Sequence, residues 1–272
     1  MFKRFFISTI LMLVAISMLA PFVVMVMISL SGNNELNYTD MSGYINHLSF
    51  RNYTHVANSI PVFRYFFNSL FVSVLTTIGQ VIIATLAGYG FARFSFRYKN
   101  LIFFIILITM FIPPQVNIIP LFFLMRELHL VDSYPALILP GIFGGFGVFM
   151  MRQHFLSFPK DLEEASIIDG CNKFQSFIKI VCPLAVPAIA TLAIFTFISS
   201  WNSFIWPLVI TNSESMRTLP LGLAIFKGSY REVIEWGDLL ACSVICALPA
   251  IIIFLLGKKY IINDIMKGGI KG

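Results

Sequence analysis

The 272-residue chain reads as an all-α membrane protein with six transmembrane helices. Three observations predict this. Hydrophobic residues make up 58% of the chain and charged residues only 12%, with a mean hydropathy of +0.85; a soluble domain carries about 25% charge. Six charge-free runs, 5–34, 65–92, 100–125, 133–151, 180–213 and 239–257, each reach the roughly 18–20 residues that cross about 30 Å of hydrocarbon. Lys and Arg divide unevenly between alternate connections, 13 against 6 of the 19, which by the positive-inside rule puts both termini in the cytoplasm. The net charge of +6 is thus an orientation signal and not a nucleic-acid footprint. A membrane β-barrel is excluded by run length, since its strands alternate over only about 10 residues.

The first run follows Lys3 and Arg4. Its apolar core, Phe5–Leu30, outlasts the roughly 7–15 residues of a signal-peptide core and no A-x-A site follows it, so residues 1–34 are expected to stay as a transmembrane helix. Residues 35–64 form an external segment, entered through Ser31-Gly32-Asn33-Asn34, with a short amphipathic helix before Pro61. A transmembrane domain follows over 65–262, and residues 263–272 form a cytoplasmic tail. The second span ends in "AGYGFARFSFRYK", whose small residues allow close helix approach. The third contains "FIPPQVNIIP"; Pro113 and Pro114 must kink or interrupt it. The fourth carries "GIFGGFG". That string fits neither G-x-x-x-x-G-K-[ST] nor a full G-x-G-x-x-G, so tight packing explains it better than phosphate binding.

No acid or base falls inside a predicted span, which argues against ion coupling. The chain has no Walker A sequence, no His-Glu-x-x-His and no Ser/His/Asp set. It is therefore expected to be non-catalytic, with no metal or cofactor of its own. Cys171, Cys182, Cys242 and Cys246 show no metal or redox spacing.

The one strongly polar island, "DLEEASIIDGCNKFQSFIKIVCPL" at 161–184, lies between two spans on the cytoplasmic side. Pro159 suits a helix start, and Asp161, Glu163 and Glu164 lie at the positive end of that helix dipole. Gly170 terminates the first helix. A second carries Phe174, Phe177, Ile178 and Val181 at i, i+3, i+4 and i+7, an apolar stripe opposite Lys173, Gln175 and Lys179, and Pro183 is expected to end it. The hairpin, residues 157–183, suits either a lipid surface or a groove on a cytoplasmic partner.

The order Glu164-Ala165-Ser166, three residues, Gly170, nine residues, Ile180, then Pro183 resembles the E-A-A-x3-G-x9-I-x-L-P signature of ABC importer permeases. Ser166 stands for the second Ala and Cys182 for Leu. "NYTHV", "AGYGFARFSF", "WNSFIWPLVI" and "ALPAIIIFLLGKKYI" extend the likeness to the second permease subunit of maltose-type and glycerol-3-phosphate-type carbohydrate importers, over about residues 50–272. The resemblance implies a type I importer fold in a bacterial or archaeal inner membrane. It implies a homologous second permease as heterodimer partner, two ATP-binding subunits that hold ATP and Mg, and an extracellular solute-binding protein. It also implies that Glu164, Ala165, Ser166, Asp169, Gly170, Phe174, Ile180 and Pro183 form the coupling element.

For the solute path, Trp201, Asn202 and Trp206 in the fifth run are the candidates. Sugars stack on aromatic faces and bond amides, and an intramembrane Asn is costly unless it lines a cavity or bonds another helix. Gln80, Gln115 and Asn117 are weaker ones, and Asn68 is expected to cap or pair near an interface. The alternative function is a channel or secondary transporter for a small neutral solute, to which the hairpin contributes nothing; an intramembrane enzyme would need a catalytic set that the sequence lacks.

Overall fold

The computed structural model describes residues 2–32, 48–229 and 236–269. Residues 33–47, which include the first part of the expected external segment 35–64, residues 230–235 and the last three residues of the tail lie outside the described residues. The described elements are helical, apart from a single bridge between Ser31 and Leu48.

In chain order the helices are α1 (Phe2–Ser29), α2 (Arg51–Ser59), α3 (Val62–Arg93), α4 (Lys99–Thr109), α5 (Ile118–Glu127), α6 (Tyr134–Ile138), α7 (Gly145–Ser157), α8 (Asp161–Ile168), α9 (Lys173–Leu184), α10 (Val186–Trp201), α11 (Ile205–Ile210), α12 (Leu219–Ser229) and α13 (Trp236–Gly269). Three, α1, α3 and α13, are long and apolar enough to cross a membrane. Three bent pairs pass the same test of length and apolar composition, which gives up to six spans when each pair counts as one.

The bends follow from residue chemistry; the first falls at Pro113 and Pro114, where an interruption is expected, and the other two correct the expected straight runs. Lys99–Thr109 meets Pro114–Glu127 at 94°, because Pro113 and Pro114 donate no N–H and their rings block a continuous helix. The fourth span bends by 41° between Gly141 and Gly145, so its glycines interrupt the helix as well as pack it. The fifth run is not one helix. Its first residues finish the hairpin, a 74° bend separates Leu184 from Val186, and the chain breaks again after Trp201 before α11. Pro183 does not end α9. A π turn over Phe177–Val181 precedes it, widening the helix where the proline ring would otherwise meet the Lys179 carbonyl.

The chain divides into two compact units, Met1–Phe66 with Thr218–Pro249, and Phe67–Arg217 with Ala250–Gly272. In the first, α2 is clamped to the end of α1. Asn52 donates to the Ser29 and Ser31 carbonyls at 3.0 and 2.9 Å, and the Tyr53 and Ser29 hydroxyls lie 2.8 Å apart. His55 of α2 meets Asp238, which is 2% exposed. Asp238 lies within the apolar span Trp236–Tyr260, so the expectation of spans free of acids fails there. One hydrophilic turn at the start of the run sits just ahead of its charge-free part, and an imidazole is what makes it tolerable.

The second unit holds two cores. One gathers Tyr89, Phe103, Met151, Phe155, Phe177 and Leu192, from α3, α4, α7, α9 and α10. The other gathers Val72, Met125, Leu137, Ile210 and Met216. Above the second core, Asn68 donates to the Ser215 and Arg217 carbonyls, each at 2.8 Å, and accepts from the Tyr134 hydroxyl at 2.7 Å. Asn68 thus pairs with neighbouring segments, as its expected capping or pairing role requires.

The turn between α5 and α6 is held by Asp132, whose φ is 61°. Its carboxylate accepts the Asn212 and Ser213 N–H groups at 2.9 and 3.1 Å. Burial alone would raise the pKa of this carboxyl, but these bonds and the Ser213 hydroxyl draw it below the usual 3.8. A depressed folded value means that Asp132 stabilises the fold above pH 3.8 and that this contribution is lost as pH falls through the folded value. Asp132→Asn keeps a residue tolerant of positive φ and removes the charge. Thermal unfolding in detergent across the acid range is expected to show a lower melting temperature at neutral pH and a shallower loss toward acid than in the parent chain.

Candidate functional site

The hairpin expected from sequence forms, and its corner is built from local rules. Asp161, Glu163 and Glu164 occupy the first turn of α8. At its end the Gly170 N–H bonds the Ile167 carbonyl and the Cys171 N–H bonds that of Ser166, both at 3.0 Å, with Gly170 at φ +89°. That is a Schellman closure, which needs a left-handed residue at this position. The second helix opens with a reciprocal cap in which Asn172 accepts from the Gln175 N–H and Gln175 accepts from the Asn172 N–H, at 2.8 and 3.0 Å.

The two helices are joined inside by Ser166 and Ser176, whose hydroxyls lie 2.6 Å apart, both residues being buried. Ser166 is therefore not a neutral stand-in for alanine. It links the arms of the hairpin. The apolar stripe expected on α9 splits in two. Phe177 and Val181 enter the core, while Phe174 and Ile178 stay exposed. Residues four apart share a face, so 174 pairs with 178 and 177 with 181. Leu162, Ile167 and Ile168 (85% exposed) of α8 are also open, beside Phe174 (64% exposed) and Ile178 of α9. Glu164, Ala165, Asp169 and Pro183 are exposed and Ile180 half-buried.

At the root, Arg93 at the end of α3 donates from Nε to Glu163 at 2.6 Å and from Nη2 to the Phe158 carbonyl at 2.8 Å. The Tyr89 hydroxyl donates to the other Glu163 oxygen at 2.9 Å. Sequence reasoning passes over this cluster; the only sequence signal is an Arg and a Tyr four apart at the inner end of a span.

The solute-path candidates do not form one surface. Trp201 is 1% exposed and its ring stacks on Phe197, centroids 5.9 Å apart. Trp206 is half-buried and donates its indole N–H to the Ala136 carbonyl at 2.9 Å. Asn202 is exposed where α10 ends. Gln115 and Asn117 are exposed at the 94° elbow, and Gln80 is half-buried beside Gly144. Among the described residues no group of three or more His, Cys, Asp or Glu could hold a metal ion.

Bent spans, two α-helical units and a projecting hairpin define a multi-pass membrane transport subunit. Residues 80–265 match the family of binding-protein-dependent transport system inner membrane components, and the chain belongs to that family. Its members are non-catalytic transport components. The arabinooligosaccharides transport system permease protein AraQ of Bacillus subtilis (strain 168) is 41% identical over 83% of this chain and 80% of its own length. The trehalose/maltose transport system permease protein MalG of Thermococcus litoralis is 32% identical over 96% of this chain and 94% of its own. The fold is shared with a bacterial ABC transporter involved in the import of the acidic polysaccharide alginate. That chain is 24% identical, covers 95% of this chain and 96% of its own, and has a TM-score of 0.83.

Proposed function

We propose that the chain is one permease of an ATP-driven carbohydrate importer, supplying half of the membrane path for a sugar or oligosaccharide handed over by an extracellular binding protein. The observation that carries this reading is the hairpin: an exposed apolar knob, Ile168 and Phe174, on a corner locked by Gly170. An open knob of this kind suits a groove on a partner. Glu164, Ala165, Ser166, Asp169, Gly170, Phe174, Ile180 and Pro183 form the coupling element in this reading, docking on one of two ATP-binding subunits that hold the ATP and Mg. A homologous permease completes the heterodimer. The substrate class rests on relatives named for arabinooligosaccharides and for trehalose and maltose. Asn202, exposed at the end of α10, is the solute-path candidate that remains open to contact.

Co-expression of all subunits followed by reconstitution tests the reading. Uptake of a neutral oligosaccharide should require ATP, the ATPase subunits and the binding protein. Transport by this chain alone would refute it.

The same reading places both termini and the hairpin in the cytoplasm and residues 211–237 outside. In a chain whose native cysteines are replaced by serine, a membrane-impermeant maleimide applied to intact cells is expected to label Glu214→Cys and to spare Lys179→Cys. Both positions are exposed. Ser176, the more obvious probe site from sequence, is buried against Ser166 and would resist labelling from either side. The reverse pattern would invert the topology.

A further inference from the structure

Glu164 is the acid that the signature singles out, but Glu163 is the one the fold encloses. Its side chain is 13% exposed and that of Arg93 8%. An exposed ion pair contributes little; an enclosed one is costly to break from one side and so holds its elements in fixed geometry. Both Glu163 oxygens are engaged, one by Arg93 and one by Tyr89. Arg93 also bonds the Phe158 carbonyl, on the short connection that leads from α7 into the hairpin. The Tyr89 ring meanwhile lies 4.5 Å from that of Phe177 on α9 and 5.5 Å from that of Phe155 on α7. The last turn of α3 thus grips α8 by charge, α9 by ring contact, and the entry to the hairpin by a backbone bond.

Without this grip, a push on the tip would be absorbed by the connection between Ser157 and Asp161. With it, the hairpin and the inner end of α3 move together, as close-packed elements do. We infer that Arg93, Glu163 and Tyr89 form the joint that passes hairpin movement into α3. They are positioning residues for coupling, acting through a span and not by touching solute. The inference rests on the proposed role of the hairpin as the docking element.

The test is the amount of oligosaccharide imported per ATP hydrolysed, in proteoliposomes holding the whole complex and its binding protein. Tyr89→Phe removes one hydroxyl and keeps the ring contacts; Glu163→Gln removes the charge; Glu163→Ala removes the joint. All three are expected to retain the ATPase subunits at parental levels. Import per ATP is expected to fall by about fivefold in Glu163→Ala, within the range that a coupling residue commands, and by less in the other two. An unchanged ratio in complexes that assemble normally would overturn the inference, as would reduced complex yield with the ratio intact. Should Glu163→Ala fail to assemble, the ratio in Tyr89→Phe and Glu163→Gln decides. A parent chain that recruits no ATPase would instead overturn the proposed function, and this inference with it.

Discussion

Gly170→Val is expected to abolish import while leaving the protein in the membrane. The residue sits at φ +89°, and a Cβ there would meet nothing within 4 Å, so the penalty is conformational and not steric crowding. A β-branched residue in the left-handed region costs about 1–2 kcal/mol. The corner would relax toward negative φ and give up the Schellman bonds to Ser166 and Ile167. The damage is confined to the hairpin tip, because α8 and α9 are anchored separately at the root through Glu163 and Phe177. The measurement is ATPase pull-down beside oligosaccharide uptake, at matched membrane levels. Gly170→Asn supplies the control, since Asn tolerates left-handed backbone, and it should retain most activity. Equal loss in both variants would mean that the glycine is needed for a surface contact and not for its backbone. Glu164→Ala removes an exposed charge, which on a free surface changes stability by less than about 0.5 kcal/mol, so loss of ATPase binding there would locate the docked face.

The second large effect is expected at Gly88, and it is of a different kind. A Cβ at this position would lie 2.6 Å from Met151 Cβ and 2.8 Å from the Arg152 backbone N, so α3 and α7 touch backbone to backbone. Neither neighbour can swing away as a flexible side-chain tip could. Gly88→Val would force the helices apart, and overpacking of this sort costs about 1–3 kcal/mol or more. The core around Met151, Phe155 and Tyr89 would open. Low membrane abundance and an earlier thermal transition in detergent are expected, before any question of activity arises. Gly90, two residues on, has nothing within 4 Å of a built Cβ; Gly90→Ala should behave like the parent chain. Normal abundance of Gly88→Val would show that the two helices are not in close contact.

These two glycines also mark what could and could not be read from sequence. Gly170 was legible because its role is local: a helix end followed by a cap needs a residue that accepts positive φ, whatever surrounds it. Pro113 and Pro114 were legible for the same reason, since a missing N–H interrupts a helix in any setting. The hairpin itself was legible from the polar island between apolar runs. Its orientation on the core was not. A period of 3.6 places Phe174, Phe177, Ile178 and Val181 within one broad stripe, but only the packing of Phe177 against Tyr89 and Phe155 decides which half is buried. Glu163 and Glu164 are indistinguishable in sequence, both acids in a first helical turn, and they part only because Arg93 comes within 2.6 Å of one. Ser166 was taken as a small substitute until its hydroxyl was seen against Ser176. Trp201 and Trp206 carry the chemistry that sugars favour, yet the fold spends one ring on Phe197 and the other's indole N–H on Ala136. Asp238 directly precedes the charge-free run 239–257, and only its contact with His55 shows it enclosed.

The 94° elbow carries a consequence of its own for how the subunit exists in a cell. Phe111 is 86% exposed there, Val116 63% and Ile119 68%, around two prolines and the amides of Gln115 and Asn117. Hydrocarbon offers no donors or acceptors to a bend in the backbone, and irregular chain persists at that depth only against protein or water. In the assembly proposed above, a lone copy would leave this backbone and its amides uncovered along the stretch where the second permease would lie. Copies outside that assembly would then be less stable than assembled ones, which thermal unfolding in detergent of the chain alone beside that of the complex would show.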